Sequence, residues 1–201
     1  MPYLHQGRCS RNGQPDQRNP WRLGQAAPGY AGQGLESLGR KPIVAEEAGS
    51  TEFAGIKLRG RADRIDRLVD GGIGIVDYKT GEGPKNKQVA AGFAMQLGLI
   101  GLIAEQGGFD GVSGKAVAFE YWSLARDPVS RTFGKISSPT TGKKPVYEPV
   151  AFVAMIADQF AKAAAKWLTG SDPFTAKLSP EYARNDYDHL MRLEEWQGRD
   201  G

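Results

Sequence analysis

The stretch of residues 60–79, GRADRIDRLVDGGIGIVDYK, decides how the rest of this chain is read. Leading into it, Ile56, Leu58, Gly60 and Ala62 fall on one face of an extended strand, and Lys57, Arg59, Arg61 and Asp63 on the other. Asp70-Gly71-Gly72 ends that alternation with a strong turn signal. The return, residues 73–80, is apolar on both faces at its start through Ile73, Ile75 and Val76, which predicts a central strand covered from both sides. A three-residue loop at positions 70–72 would set Asp63 opposite Lys79 and Ile65 opposite Asp77. Strand side chains alternate, so Asp63, Asp77 and Lys79 would then share a face. A two-residue loop would shift parity and part the two acids. Carboxylates gathered this way repel unless a cation lies between them, and Mg²⁺ or Mn²⁺ suits hard oxygen ligands. Such an ion polarises a phosphoryl oxygen and activates water, and a lysine beside it steadies the developing charge.

An Asp-x-Lys triplet alone carries little, because it recurs by chance and Asp63 could instead pair with Arg61 or Arg64 at the surface. Its surroundings make it specific. Residues 42–48 predict a short strand through Ile43 and Val44 that leads to two adjacent acids, Glu46 and Glu47; residues 53–68 predict the next strand. Beyond the break at residues 81–84, Val89, Phe93, Gln96, Ile100 and Ile103 recur at helical spacing and predict one helix over 86–106, stopped by Gly107-Gly108. Gln96 then sits on an inward, otherwise apolar face. Residues 115–124 alternate through Val117, Phe119 and Tyr121 as a strand. Residues 125–149 read as a polar loop or irregular hairpin, and 149–168 as an Ala-rich helix stopped by Gly170. The tail, with Tyr182, Tyr187, His189, Leu190 and Trp196, reads as a packing segment. The order is that of a mixed α/β domain in which a hairpin feeds a crossover helix.

Hydrophobic residues make up 40% of the 201, too few for a core that fills the whole length. Residues 1–41 are rich in Gly, Gln, Arg, Pro and Asn without apolar period and are expected to be a disordered arm, leaving 42–201 as the folded domain. Net charge is +3, which permits a nucleic-acid partner without demanding one. Local cations are the candidates for phosphate contact: Arg61 and Arg64 on the first strand, Lys85 and Lys87 just after the second. The single cysteine, Cys9, rules out a disulfide or an all-cysteine cluster within this chain. No apolar run suits a membrane span and no signal-peptide core is evident, so a cytoplasmic protein without membrane partner is expected.

The pieces Gly60-Arg61-Ala62-Asp63-Arg64-Ile65-Asp66, Ile75-Val76-Asp77-Tyr78-Lys79-Thr80-Gly81 and Gln96-Leu97 resemble the motifs of RecB-type PD-(D/E)xK nuclease domains. More narrowly, residues 41–196 are similar to the C-terminal nuclease domain of AddB-type subunits, which act with an AddA-type helicase–nuclease in double-strand break repair. The resemblance implies a restriction-endonuclease-like mixed sheet flanked by helices and Mg²⁺- or Mn²⁺-dependent cleavage of DNA, as a single strand or an unwound duplex end. It implies metal ligation by Asp63, Asp77 and the backbone carbonyl of Tyr78, with Lys79 and Gln96 in catalytic roles. The upstream helix of the family, with its His or Glu, has no match in residues 1–41; His5 lies in a low-complexity context, so Glu46 or Glu47 is the candidate acid. The tyrosine that often follows the glutamine four residues on is Ile100 here, and the iron–sulfur cluster of many relatives has no ligands. A fragment of a longer subunit, or a misassigned start, is expected from the odd N-terminus. The competing reading is a catalytically weak or inactive module that keeps the nuclease fold for DNA binding or assembly.

Overall fold

The computed structural model describes residues 39–125, 135–142, 145 and 147–173. Cys9, His5 and the predicted tail aromatics lie outside them. The chain runs β1 (Lys41–Phe53), β2 (Ile56–Arg67), β3 (Ile73–Lys79), α1 (Asn86–Ala90), α2 (Gln96–Glu105), β4 (Ala116–Ser123), β5 (Ile136–Ser137) and α3 (Pro149–Trp167). The strands form one mixed sheet in the order β1-β2-β3-β4-β5. Every pairing is antiparallel except β3 with β4, which is parallel. A parallel pair needs a crossover, and α2 supplies it. β3 lies in the middle and is buried from Ile73 to Asp77, as its two-sided apolar sequence requires. Both α2 and α3 contribute to the core on one side, where the rings of Phe119 and Phe152 meet with centroids 4.6 Å apart. α3 begins with proline at its first position, where no backbone donor is needed. The helix stop at Gly107-Gly108 is also as expected: Gly107 takes a φ of 73°, and the Gly108 and Gly107 N–H groups bond Ile103 O and Ala104 O.

The hairpin between β2 and β3 keeps its predicted parity but not its predicted register. Leu68 N–H bonds Gly72 O at 2.9 Å, so the three-residue loop is Val69-Asp70-Gly71, one position earlier than expected. Gly71 carries the positive φ of 83° that the last residue of such a loop needs, and Asp70 Oδ1 accepts the Gly72 N–H at 2.9 Å. The pairs that follow are Arg67–Ile73, Asp66–Gly74, Ile65–Ile75 and Arg64–Val76. Asp63 therefore comes into line with Asp77 rather than with Lys79.

Two expectations need correction. The short strand at 42–48 and the strand from 53 are one long hairpin, β1–β2, turned by Ala54-Gly55 with φ values of 52° and 74°. Alanine is a poor signal for that turn because its Cβ disfavours positive φ. The helix expected over 86–106 is two helices, parted at Gly92, whose φ is 80°. Phe93 is consequently 52% exposed, and Gln96 lies at the exposed start of α2 rather than on an inward face.

The strict alternation of β2 also fails at one place. Ala62 and Ile65 are three positions apart, yet both belong to the core at 2% and 0% exposure. The strand turns its inward side over between them. β1 does the same between Val44 and Gly49, both buried. The pivot in β1 is Glu46, with a φ of 52°, between the pairs Ala45–Arg64 and Glu47–Ala62 and so alongside Asp63.

On the face of β3 opposite Asp77, Asp66 is fully buried among ions. Arg64 Nε bonds Asp66 Oδ1 at 2.7 Å, and Arg40 Nε lies 3.2 Å from Asp66 Oδ2. Arg40 reaches across β3 to both oxygens of Glu120, at 2.9 and 3.0 Å. It can do so because residue 74 is glycine: a Cβ there would stand 2.8 Å from Arg40 Nη2. Trp122 Nε1 donates to Glu120 Oε2 at 2.8 Å, and the Arg64 guanidinium lies 4.9 Å from the Trp122 ring centroid. The cluster is thus a ring of two cations and two anions tying β2, β4 and the residue before β1 together.

Candidate active site

Hydrogen-bonded pairs recur at every second residue of an antiparallel ladder. Counting from Leu68–Gly72, the next after Arg64–Val76 would be Ala62–Tyr78, but the pairing stops at Arg64–Val76. The Tyr78 N–H instead donates to the Asp63 carboxylate, at 2.9 Å from Oδ2. The side chain of Asp63 thus lies in the opening between the two strands. A strand residue's N–H and C=O point to the same edge, so the Tyr78 carbonyl faces this opening too. The Lys79 carbonyl, one residue on, points the other way and accepts the Leu124 N–H at 2.7 Å.

Asp77 stands at the buried end of the central run, 4% exposed. Burial pushes its pKa up; the Lys79 ammonium opposes this, and the nearby Asp63 charge adds to the rise. Lys79 Nζ lies 2.5 Å from Asp77 Oδ2 and forms an ion pair with it. Lys79 Nζ donates to Gln96 Oε1 at 3.1 Å. Gln96 therefore reaches the site from the first position of α2, a route the single-helix reading could not give. Asp63, Asp77, Lys79 and Gln96 converge as the sequence led us to expect, but through the opened ladder rather than through a shared strand face.

The other candidates scatter. Glu47 Oε1 accepts the Asp110 N–H at 3.2 Å, while Glu46, alongside Asp63, pairs with Arg61 Nη2 at 2.8 Å. Arg61 is exposed, as are Lys85 and Lys87 at the start of α1. Arg64 is not available to a ligand beside Asp63: it is committed to Asp66 and stacked on Trp122 on the opposite face. Burial works against its charge, but Asp66 and the Tyr78 phenol, both hydrogen-bonded to it, raise its pKa on balance. Two aromatic residues outside the candidate set also border these clusters. Trp122 closes the ion ring and meets Tyr78 edge-on at 5.8 Å, and Tyr121 stands beside Asp77 in the parallel register. Periodicity cannot separate a core aromatic from one that lines a site.

A family model described as the PD-(D/E)XK nuclease superfamily matches residues 14–181. The chain belongs to the PD-(D/E)XK nuclease superfamily. Its members are typically metal-dependent nucleases that use divalent ions. A comparison with curated proteins finds no match. The residues present fit the ion this superfamily implies. Asp77 is a buried carboxylate whose pKa is raised by burial and by the nearby Asp63 charge against the opposing Lys79 ammonium, and the Asp63 carboxylate and Tyr78 carbonyl occupy the adjoining opening. Among the described residues no three Asp, Glu, His or Cys side chains converge. A cation here would thus be held by two carboxylates, one main-chain oxygen and water, an oxygen-only set suited to Mg²⁺ or Mn²⁺. No helix among the described residues is long and apolar enough to cross a membrane.

Proposed function

We propose that this chain is a Mg²⁺- or Mn²⁺-dependent deoxyribonuclease, and that it serves as the nuclease module of an AddAB-type helicase–nuclease in double-strand break repair. The observation that carries the nuclease reading is the capture of the Tyr78 N–H by Asp63, which gathers Asp63, Asp77 and Lys79 where β2 and β3 part. The likeness of residues 41–196 to the nuclease domain of AddB-type subunits supports the narrower assignment.

In this reading Asp63, Asp77 and the Tyr78 carbonyl hold the ion. Bound there, it would polarise a phosphoryl oxygen and lower the pKa of water. Lys79, oriented by Gln96, donates to the attacking water or to the phosphodiester oxygens as charge builds on them. Exposed Arg61, Lys85 and Lys87 hold the DNA backbone without reading sequence.

Purified protein should cut single-stranded DNA or unwound duplex ends with Mg²⁺ or Mn²⁺. Lys79→Ala should slow cleavage by roughly 10²–10³-fold; equal cutting by that variant would remove the lysine from the mechanism. If calorimetry shows no Mn²⁺ binding that depends on Asp63 and Asp77, the module is a non-catalytic DNA-binding or assembly unit. Co-purification with a helicase-bearing partner tests the AddAB assignment separately.

A further inference from the structure

Tyr121 has the burial of a core residue but not the chemistry of one. It is 2% exposed, and its hydroxyl has no hydrogen-bond partner among the described residues. The other large buried aromatics nearby pose no such problem: Phe119 and Phe152 carry no polar atom, and the Trp122 Nε1 has its acceptor in Glu120. A buried hydroxyl left unpaired costs stability that phenylalanine of the same shape would not.

The place of Tyr121 gives the hydroxyl a use. β3 and β4 run parallel with Asp77 registered on Tyr121 and Lys79 on Ser123. The side chains of Asp77 and Tyr121 therefore leave the same face side by side. Lys79 Nζ lies 5.8 Å from the centroid of the Tyr121 ring. The loop after β3 closes directly on that ring, since a Cβ on Gly83 would stand 2.8 Å from Tyr121 Cβ and 3.0 Å from Cγ. Among the described residues the Tyr121 hydroxyl finds no hydrogen-bond acceptor, the Asp77 carboxylate beside it included. Burial, reinforced by the Asp77 charge, pushes the phenol pKa up.

We propose that the Tyr121 hydroxyl is a functional hydrogen-bond donor of this site, given to a ligand oxygen, of water or of the phosphodiester, that is taken up beside Asp77 and Lys79. The proposal rests on the nuclease reading above. Tyr121→Phe, in the full chain, removes the oxygen and nothing else. Its melting temperature should equal or exceed that of the parent, because the lost hydroxyl had no protein partner. Function should move the other way. If the oxygen is that of site water, Mn²⁺ affinity measured by calorimetry without DNA falls about tenfold. If it is a phosphodiester oxygen, Mn²⁺ affinity holds, and kcat falls about tenfold or more with KM unchanged. Affinity and kcat both within about twofold of the parent would overturn the proposal and leave Tyr121 a core ring. A melting temperature lowered together with both readouts would mark a packing residue and overturn it as well. If the parent chain itself neither binds Mn²⁺ nor cuts DNA, the nuclease reading has failed and takes this inference with it.

Discussion

The two sides of β3 carry charge clusters built to opposite rules. On one side Arg64, Asp66, Arg40 and Glu120 follow one another as alternating cations and anions, and Trp122, which donates to Glu120 and lies against Arg64, closes them into a ring. On the other, Asp63 and Asp77 face a single cation, Lys79, and burial raises the Asp77 pKa. The two sets are interleaved in sequence: Arg64 follows Asp63, and Tyr78, whose phenol meets Arg64, sits between Asp77 and Lys79. Electrostatically they differ in kind. A neutral, mutually paired ring has little affinity left for a ligand and fixes the strands that carry it. A set with excess carboxylate, one of the acids buried, is costly to the empty fold and is where a cation would relieve that cost.

The sharpest way to break this contrast is to remove one ring anion. Asp66→Ala leaves Arg40 and Arg64 without their shared partner and should cost about 3–5 kcal/mol in urea unfolding. Undiminished stability would mean that the ring is not a structural device. A smaller loss, about 1–3 kcal/mol, is expected from Gly74→Ala, whose methyl would meet Arg40 Nη2 at 2.8 Å. A double variant with Arg40→Ala should lose less than the two single losses added, because the clash goes with the arginine. Additive losses would place the effect of Gly74 elsewhere.

The smallest effect concerns the open side. Asp77 ordinarily titrates at 3.8 and is raised in the fold. Below 3.8 it is protonated both folded and unfolded. As pH climbs from there through the raised folded value, the unfolded chain gives up the proton more readily, so stability is lost. Asp77→Asn cannot titrate. The metal-free melting temperature of that variant, relative to the parent, should therefore rise across this window and level off above it. A difference that stays flat from about pH 3 to pH 7 would show that burial of Asp77 carries no penalty.

Much of this is legible in the sequence. The doubly apolar run at Ile73–Lys79 marked the central strand, and Gly71 marked a three-residue loop of the right parity. Phe119 and Pro149 marked a strand and a helix that the fold contains. What escaped did so for identifiable reasons. Two adjacent glycines, Gly71 and Gly72, could each end the loop, so its position was open by one residue. Gly92 lies inside a helical period, and periodicity does not see a backbone turned to positive φ. Ala54 gives no turn signal, so the sequence does not show where β1 ends and β2 begins. Glu46 and Glu47 look alike in a sequence, but only Glu46 lies alongside Asp63.

By itself, then, the sequence determined the class of the domain and the four residues that meet at the site: Asp63, Asp77, Lys79 and Gln96. For Asp63, Asp77 and Lys79 it could do so because a three-residue turn and strand alternation are local and set parity; Gln96 came only from the likeness to the nuclease motifs. Only the tertiary structure decided how they meet. The ladder stops after Arg64–Val76, Asp63 takes the place of a backbone acceptor for Tyr78, and β4 brings Tyr121 against Asp77. Those are outcomes of pairing between distant strands, where a shift of one residue exchanges one face of the sheet for the other.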